Sequence, residues 1–174
     1  MIRNSMILRW LGAVLMLPVM VLVIIPGGIL YFSAYRWHPI GACAAIGACF
    51  FVVIGLLLAI STTVLFHSLG MGTAAPWDPP AVLVVAGPYR YVRNPMISGV
   101  FSMLIGEVLI SRSPYIAVWF LIFLAAKMVY IPLIEEKHLR KTFGENYAEY
   151  EKNVPRWIPR LTSWKKLPHA KNKK

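Results

Sequence analysis

From Ile40 to Phe66 the chain carries no Asp, Glu, Lys or Arg. Crossing the hydrocarbon core of a bilayer takes about 20 consecutive apolar residues, and this run is longer than that. Further apolar runs extend from about Leu11 to Phe32, from Met96 to Ile110 and from Tyr115 to Ile134. A chain of 174 residues has room for about one domain. Its composition does not suit a core hidden from water: 58% of residues are hydrophobic and only 14% are charged, against about 25% charged in soluble domains. Lipid offers the backbone no hydrogen-bond partners, so each crossing segment must satisfy its own N–H and C=O groups as a helix. The sequence predicts an all-α, polytopic membrane helical bundle. It has about four transmembrane helices, the last two a helical hairpin, plus a cytoplasmic C-terminal helix.

The whole chain, 1–174, reads as a single domain. Residues 1–66 hold two N-terminal spans. Pro18 and Pro26-Gly27-Gly28 should kink or loosen the first, which membrane helices tolerate. Arg3 and Arg9 before it mimic a signal peptide. The apolar run is too long for a signal core and lacks a clear small-residue cleavage site, so it reads as a retained span. Residues 67–95 form a long Gly- and Pro-rich loop, in which Trp77-Asp78-Pro79-Pro80 cannot continue a helix. Residues 96–134 form the hairpin, turning at Ser111-Arg112-Ser113-Pro114. Its first arm is short for a full crossing. Residues 135–160 become charged and helix-forming, break at Phe143-Gly144 and stop at Val154-Pro155. Residues 161–174 are a basic tail.

The net charge is +11, which raises the question of nucleic acid. Much of that charge follows the last apolar run, in Lys137, Arg140, Lys141, Lys152, Arg156, Arg160, Lys165, Lys166, Lys171, Lys173 and Lys174. A basic segment beside a span meets anionic headgroups, at about 1 kcal/mol per charge. The partner is therefore a membrane surface and not nucleic acid. Arg36 and Arg112 are the only basic residues in the two short turns between spans. By the positive-inside rule both termini are cytoplasmic, and the long loop and the tail emerge on the same face. Cys43 and Cys49, six apart within an apolar run, read as small buried hydrophobes. His67 and His138 stand alone, so no metal-ligand set is present. No Ser-His-Asp or Walker-type pattern appears.

The residues able to carry chemistry sit in the loop and the tail. Gly70 and Gly72, before Thr73, let a backbone bend sharply and approach a ligand closely, although such pairs often just end helices. Arg90 and Arg93, with Tyr89 and Tyr91, stand directly before a membrane helix. An interfacial belt would explain them, but Pro88 and Pro95 fix the backbone around Arg90, Arg93 and Asn94 and suggest a shaped site. Glu135 and Glu136 lie at the C-terminal end of the last span, where the helix dipole disfavours acids. Pairing of Glu136 with Arg140, four residues on, would explain one of them and leaves Glu135 unexplained. Glu107 and Lys127 are ionisable groups inside apolar segments and hence functional candidates. They differ in depth by about 13 Å at 1.5 Å per residue, which makes a direct ion pair unfavourable and puts Lys127 nearer the cytoplasmic face.

Three stretches together resemble a known superfamily: Gly70 to Pro80, Gly87 to Met96, and Glu135-Glu136 followed by Phe143-Gly144-Glu145-Asn146-Tyr147, Tyr150 and Val154 to Arg160. They resemble the isoprenylcysteine carboxyl methyltransferase and phospholipid (phosphatidylethanolamine) N-methyltransferase superfamily, from Gly70 to about Arg160. The resemblance implies a membrane enzyme whose loop and tail enclose S-adenosylmethionine. Gly70, Gly72, Glu135 and Glu136 map onto the described cofactor elements of the phospholipid branch, and Arg93, Asn94 and Pro95 onto an Arg-His-Pro-like segment of the carboxyl methyltransferase branch. Asn94 replaces the frequent His, and Ile97 stands where Tyr is common. Physical chemistry agrees with this assignment. N–H groups at Gly72 and Thr73 suit the cofactor carboxylate, and Glu135 or Glu136 suits its ammonium or diol. Tyr89 or Tyr91 suits adenine or the sulfonium. Arg90, Arg93 and Arg156 are the candidate catalytic residues, holding an anionic group of a lipid or lipophilic acceptor. For an amine acceptor, Glu135 or His138 is the candidate base. The alternative is a non-catalytic membrane scaffold or assembly protein of the same fold, in which these residues merely cap helices.

Overall fold

The computed structural model describes residues 16–33, 35, 39–68 and 83–165, apart from the side chain of His67. Most of these residues are helical, with no strands among them. Helix α1 covers Met16–Phe32 and α2 covers Ala42–Ser68. A short 3-10 turn at Gly87–Arg90 precedes α3, Pro95–Ser111. Helix α4 runs Pro114–Phe143 and α5 runs Glu145–Asn153. Ala42–Phe66 and Pro114–Phe143 are long and apolar enough to cross a membrane, while Met16–Phe32 and Pro95–Ser111 are apolar but shorter. The outer faces remain greasy: Phe50, Leu57, Val64, Leu121, Ile122 and Val129 are all exposed. That distribution suits lipid, not water.

Helices α2 and α3 approach closely where glycines face the partner helix. A Cβ on Gly55 would lie 2.6 Å from the Gly99 carbonyl, and one on Gly106 would lie 3.0 Å from the Ala48 carbonyl. Small residues that let backbones touch are how helices associate in lipid, where no hydrophobic effect drives them together. Ser102 adds a hydrogen bond from its hydroxyl to the Phe51 carbonyl at 2.6 Å.

Two prolines leave local marks. In α1 a π-helical turn, Met20–Ile24, precedes Pro26, and the Ile25 N–H bonds back to the Met20 carbonyl. The Val21 carbonyl is thereby orphaned. Ile25 has gone one residue further back, and Pro26 has no N–H to offer. The indole N–H of Trp119 in α4 fills the gap, at 3.1 Å. The loosening expected at Pro26 is thus a widened turn satisfied from a neighbouring helix. In α4 a second π turn, Ile131–Glu135, contains Pro132. It adds one residue to the turn immediately before Glu136 and so re-aims everything that follows.

The ends of the bundle are distinct. At one end the α1–α2 and α3–α4 connections meet. Tyr35 donates to the Ser111 carbonyl at 2.6 Å, and Arg112, in the left-handed region at φ +52°, donates to the Pro39 carbonyl at 3.1 Å. At the other end the segment before α3 is tied to the C-terminal segment through backbone bonds. The Arg93 N–H bonds the Pro155 carbonyl, that of Arg160 bonds Tyr91, and that of Trp164 bonds Arg90, all at 2.9 to 3.0 Å. Tyr147, Tyr150 and Val154 are buried there against Leu83, Val85 and Trp164. Gly144, at φ +52°, permits the sharp break between α4 and α5.

One expectation about packing is corrected. Cys43 and Cys49 are free thiols, but they are exposed on the outside of α2 and not buried in protein. Their apolar surroundings in sequence reflect a face turned outward from the bundle.

Candidate functional site

At the tail end of the bundle a cavity of about 400 Å³ opens between α1, α2, α3, α4 and α5. One part of its wall is apolar: Leu17, Pro18 and Val21 from α1, Phe66 from α2, Val100 from α3 and Phe123 from α4. The other part is polar, with Tyr89, Arg93, Asn94, Lys127, Glu135, His138, Tyr147 and Tyr150. Pockets of about 300 to 1,000 Å³ with a few convergent polar groups are typical of small-molecule and cofactor sites.

Glu135 and Glu136 are neighbours in sequence with different surroundings. Glu135 lines the cavity. Glu136 keeps only 3% of its side chain exposed and binds two arginines. Its Oε1 accepts from Arg93 Nη1 and from Arg156 Nε, both at 2.8 Å, and its Oε2 accepts from Arg156 Nη2 at 2.5 Å. Arg93 also donates to Glu151 at 3.1 Å, and Glu151 accepts two bonds from Arg140 at 2.8 Å. The result is one chain of alternating charges, Arg156–Glu136–Arg93–Glu151–Arg140. The i,i+4 partner expected for Glu136 is therefore corrected: Arg140 pairs with Glu151, because the second arginine-binding face of the network is built from α5. The hydrogen bonds from Arg140, followed by those from Arg93, hold the Glu151 carboxyl below its ordinary range.

Burial, with the Glu136 charge adding to it, pushes the Tyr147 hydroxyl up to about 12. Tyr89 and Tyr150 are raised too, by burial first. All three are neutral phenols at physiological pH. Tyr150 donates to the Tyr89 carbonyl at 2.7 Å, holding the 3-10 turn against α5. The Tyr89 ring stands edge-on to Phe66 at 5.7 Å.

The remaining residues singled out from sequence separate into two groups. Tyr89, Arg93, Asn94 and Glu135 meet in the cavity. Arg90, Tyr91, Pro95 and Arg156 are not in its wall. Arg90 donates to the Val85 carbonyl at 3.5 Å, Tyr91 is exposed, and Pro95 starts α3 with its ring buried. Asn94 precedes α3 without capping it and donates toward the Arg156 carbonyl at 3.5 Å. Ile97 lines the cavity. Gly70, Gly72 and Thr73 lie outside the described residues. Glu107 lines a separate, smaller cavity of about 240 Å³ with Leu22, Pro26 and Ile116, well apart from Lys127. Glu151 was not singled out from sequence, and Tyr147 and Tyr150 were given no role. Tyr147 and Tyr150 entered only as part of the resemblance, and for Glu151 the only signal was an acid on a short amphipathic helix, which many surface helices share.

Among the described residues no group of His, Cys, Asp and Glu can hold a metal. The donor set suits an organic cation with hydrogen-bonding ends. A carboxylate, an imidazole, an amide and phenols face the cavity. Arg93 also lines it, and its Nε is buried without a hydrogen-bond partner among the described residues.

The family model for phospholipid methyltransferases matches residues 42–146, more than half of the chain. The chain belongs to the phospholipid methyltransferase family. The match takes in α2, α3, α4 and most of the cavity wall, so the superfamily identified from the motifs is the right one. Among curated proteins, this family member is 32% identical over 81 residues to "Protein-S-isoprenylcysteine O-methyltransferase B" of Arabidopsis thaliana, covering 44% of this chain and 39% of that protein. It is 35% identical over 88 residues to "Protein-S-isoprenylcysteine O-methyltransferase" of Xenopus laevis, covering 49% of this chain and 30% of that protein. The matched part is thus well under half the length of either relative. No solved structure matches the chain. The chain thus belongs to a family of methyltransferases and has two helices long and apolar enough to cross a membrane.

Proposed function

We propose that this protein is an S-adenosylmethionine-dependent methyltransferase embedded in the membrane, acting on a lipophilic or lipid-linked acceptor. The observation that carries this reading is the cavity with two characters. A carboxylate and neutral phenols face the same space as an apolar wall built from α1, α2 and α3. The first set suits a polar, cationic methyl donor, and the second suits a greasy acceptor. Both lie within or beside the segment matched by the family.

Glu135 is the carboxylate assigned to the ammonium or ribose diol of the cofactor, because both oxygens of Glu136 are already engaged by arginines. Glu136 then acts by holding Arg93 and Arg156 in place. Tyr89 is favoured over Tyr91 for stacking on adenine, since Tyr91 is exposed away from the cavity. Gly70, Gly72 and Thr73 are assigned the cofactor carboxylate. When bound, S-adenosylmethionine supplies an electrophilic methyl group on a sulfonium. What this chain must add is alignment, worth roughly 7–11 kcal/mol when reacting atoms are held in near-attack geometry, and exclusion of water. For an amine acceptor His138 or Glu135 takes the proton; a carboxylate acceptor needs no base. We further propose four crossings, with both termini, the 67–95 loop and the tail on the cytoplasmic side.

Calorimetric titration of detergent-purified protein with S-adenosylhomocysteine tests the cofactor assignment, with Glu135→Ala as control. Saturable binding that is lost in the variant is the expected result. Absence of binding by folded, helical protein would favour the scaffold reading, in which the charge network only braces the tail.

A further inference from the structure

We infer that Lys127 is the residue that selects the acceptor, holding an anionic group of a lipophile in the cavity; this rests on the methyltransferase reading above. Lys127 projects from the apolar helix α4 and lines the main cavity. Its Nζ lies 5.7 Å from the centroid of Phe123 and 5.2 Å from that of Tyr130. These rings, one turn before and one turn after, hold the ammonium by cation–π attraction and keep it from snorkelling out to the headgroups.

Lys127 is coupled electrostatically to Glu135 on the same wall but makes no direct ion pair with it. The ion pairs of the described residues involve Arg93, Arg140 and Arg156, each on Glu136 or Glu151, and none involves Lys127. Arg156 lies outside the cavity wall, and the Nη1 of Arg93 is shared between Glu136 and Glu151, whereas no direct ion pair among the described residues engages Lys127. A cation among Leu17, Pro18, Val21, Val100 and Phe123 is costly unless something meets it. A ligand carboxylate or phosphate, with its apolar chain along those side chains, would do so. Glu135 lies on the same wall but beyond the 4.0 Å of an ion pair with Lys127.

A lysine here also gives a way to release product. If the acceptor is a carboxylate, methylation turns it into a neutral ester, and the attraction to Lys127 disappears with the charge. An ammonium lipid would be repelled at the same point. The inference therefore disfavours a cationic lipid that lacks an anionic group, whereas a phospholipid could present its phosphate to Lys127.

The test is binding rather than turnover, so it does not depend on the cofactor. An N-acetylated S-prenyl cysteine with a free carboxylate, and its methyl ester, are titrated into purified full-length protein in neutral detergent. The wild type should prefer the acid by at least tenfold. Lys127→Gln should remove that preference while binding the ester as before, and Lys127→Arg should keep most of it. Equal affinity of the wild type for acid and ester, or a preference that survives Lys127→Gln, would overturn the inference. S-adenosylhomocysteine binding in Lys127→Gln separates this role from service to Glu135. Unchanged nucleoside affinity is expected, whereas its loss with the acid preference intact would assign Lys127 to Glu135 instead. Failure of the wild type to bind the nucleoside would count against the methyltransferase reading alone.

Discussion

Glu136 is nearly inaccessible, with 3% of its side chain exposed, and it neutralises Arg93, whose side chain is 8% exposed. Removing one member of a buried charge set leaves the others uncompensated, which typically costs about 3–5 kcal/mol. Glu136→Gln should therefore lower the thermal midpoint of the detergent-solubilised protein clearly. Arg140→Ala, at the outer end of the same chain with 56% of its side chain exposed, should have an effect well under that. The contrast is the useful measurement: equal shifts would mean that the network is solvated throughout. The acidic pair was legible in sequence as an anomaly at a helix end. Which acid faces the cavity was not. That choice depends on a π turn and on Glu151 in α5, and neither the i,i+4 rule nor the local charge pattern contains them.

At the scale of elements, α2 and α3 are held by contact between backbones. A side chain at Gly55 would run into Met103 and the Gly99 carbonyl. Unlike a flexible side chain, a carbonyl in a helix cannot move aside. Gly55→Leu should force the helices apart and cost about 1–3 kcal/mol, the usual range for overpacking. Gly27→Ala on α1, where a Cβ meets nothing within 4 Å, should be close to neutral. Thermal unfolding of both variants checks this, and a harmless Gly55→Leu would show that the interface is looser than it looks. The four apolar elements and the turn at Arg112-Ser113 were readable from length and hydropathy. The tight seam was not, because glycines scattered in an apolar run do not reveal which ones face a partner. Trp119 is similar: its indole answers an orphaned carbonyl nearly a hundred residues away, a need that arises only once α1 and α4 are side by side.

For the whole molecule, the decisive relation is which ends lie together. The two short connections meet through Tyr35 and Arg112, and the segment before α3 meets the tail through the Arg93, Arg160 and Trp164 amides. The sequence anticipated the second pairing through the order of the spans, the distribution of basic residues and the family resemblance. It did not anticipate how intimate the pairing is. Helix α3 has 17 residues, about 25 Å at 1.5 Å per residue, a little short of a hydrocarbon core of about 30 Å. A short helix is accommodated by local thinning or by snorkelling at its ends, and Arg112 at the end of α3 is placed to do the latter. If all four apolar helices cross, both termini lie on one side and Arg112 on the other. In a background with Cys43→Ala and Cys49→Ala, single cysteines at Asn4→Cys, Arg112→Cys and Lys165→Cys can be probed with a membrane-impermeant maleimide. In right-side-out vesicles only Arg112→Cys should react, and in inverted vesicles only the other two. Opposite behaviour of Asn4→Cys and Lys165→Cys would mean an odd number of crossings. One of the shorter helices would then lie along the interface, and the apolar part of the cavity wall contributed by α1 would open to the headgroups instead of the lipid chains.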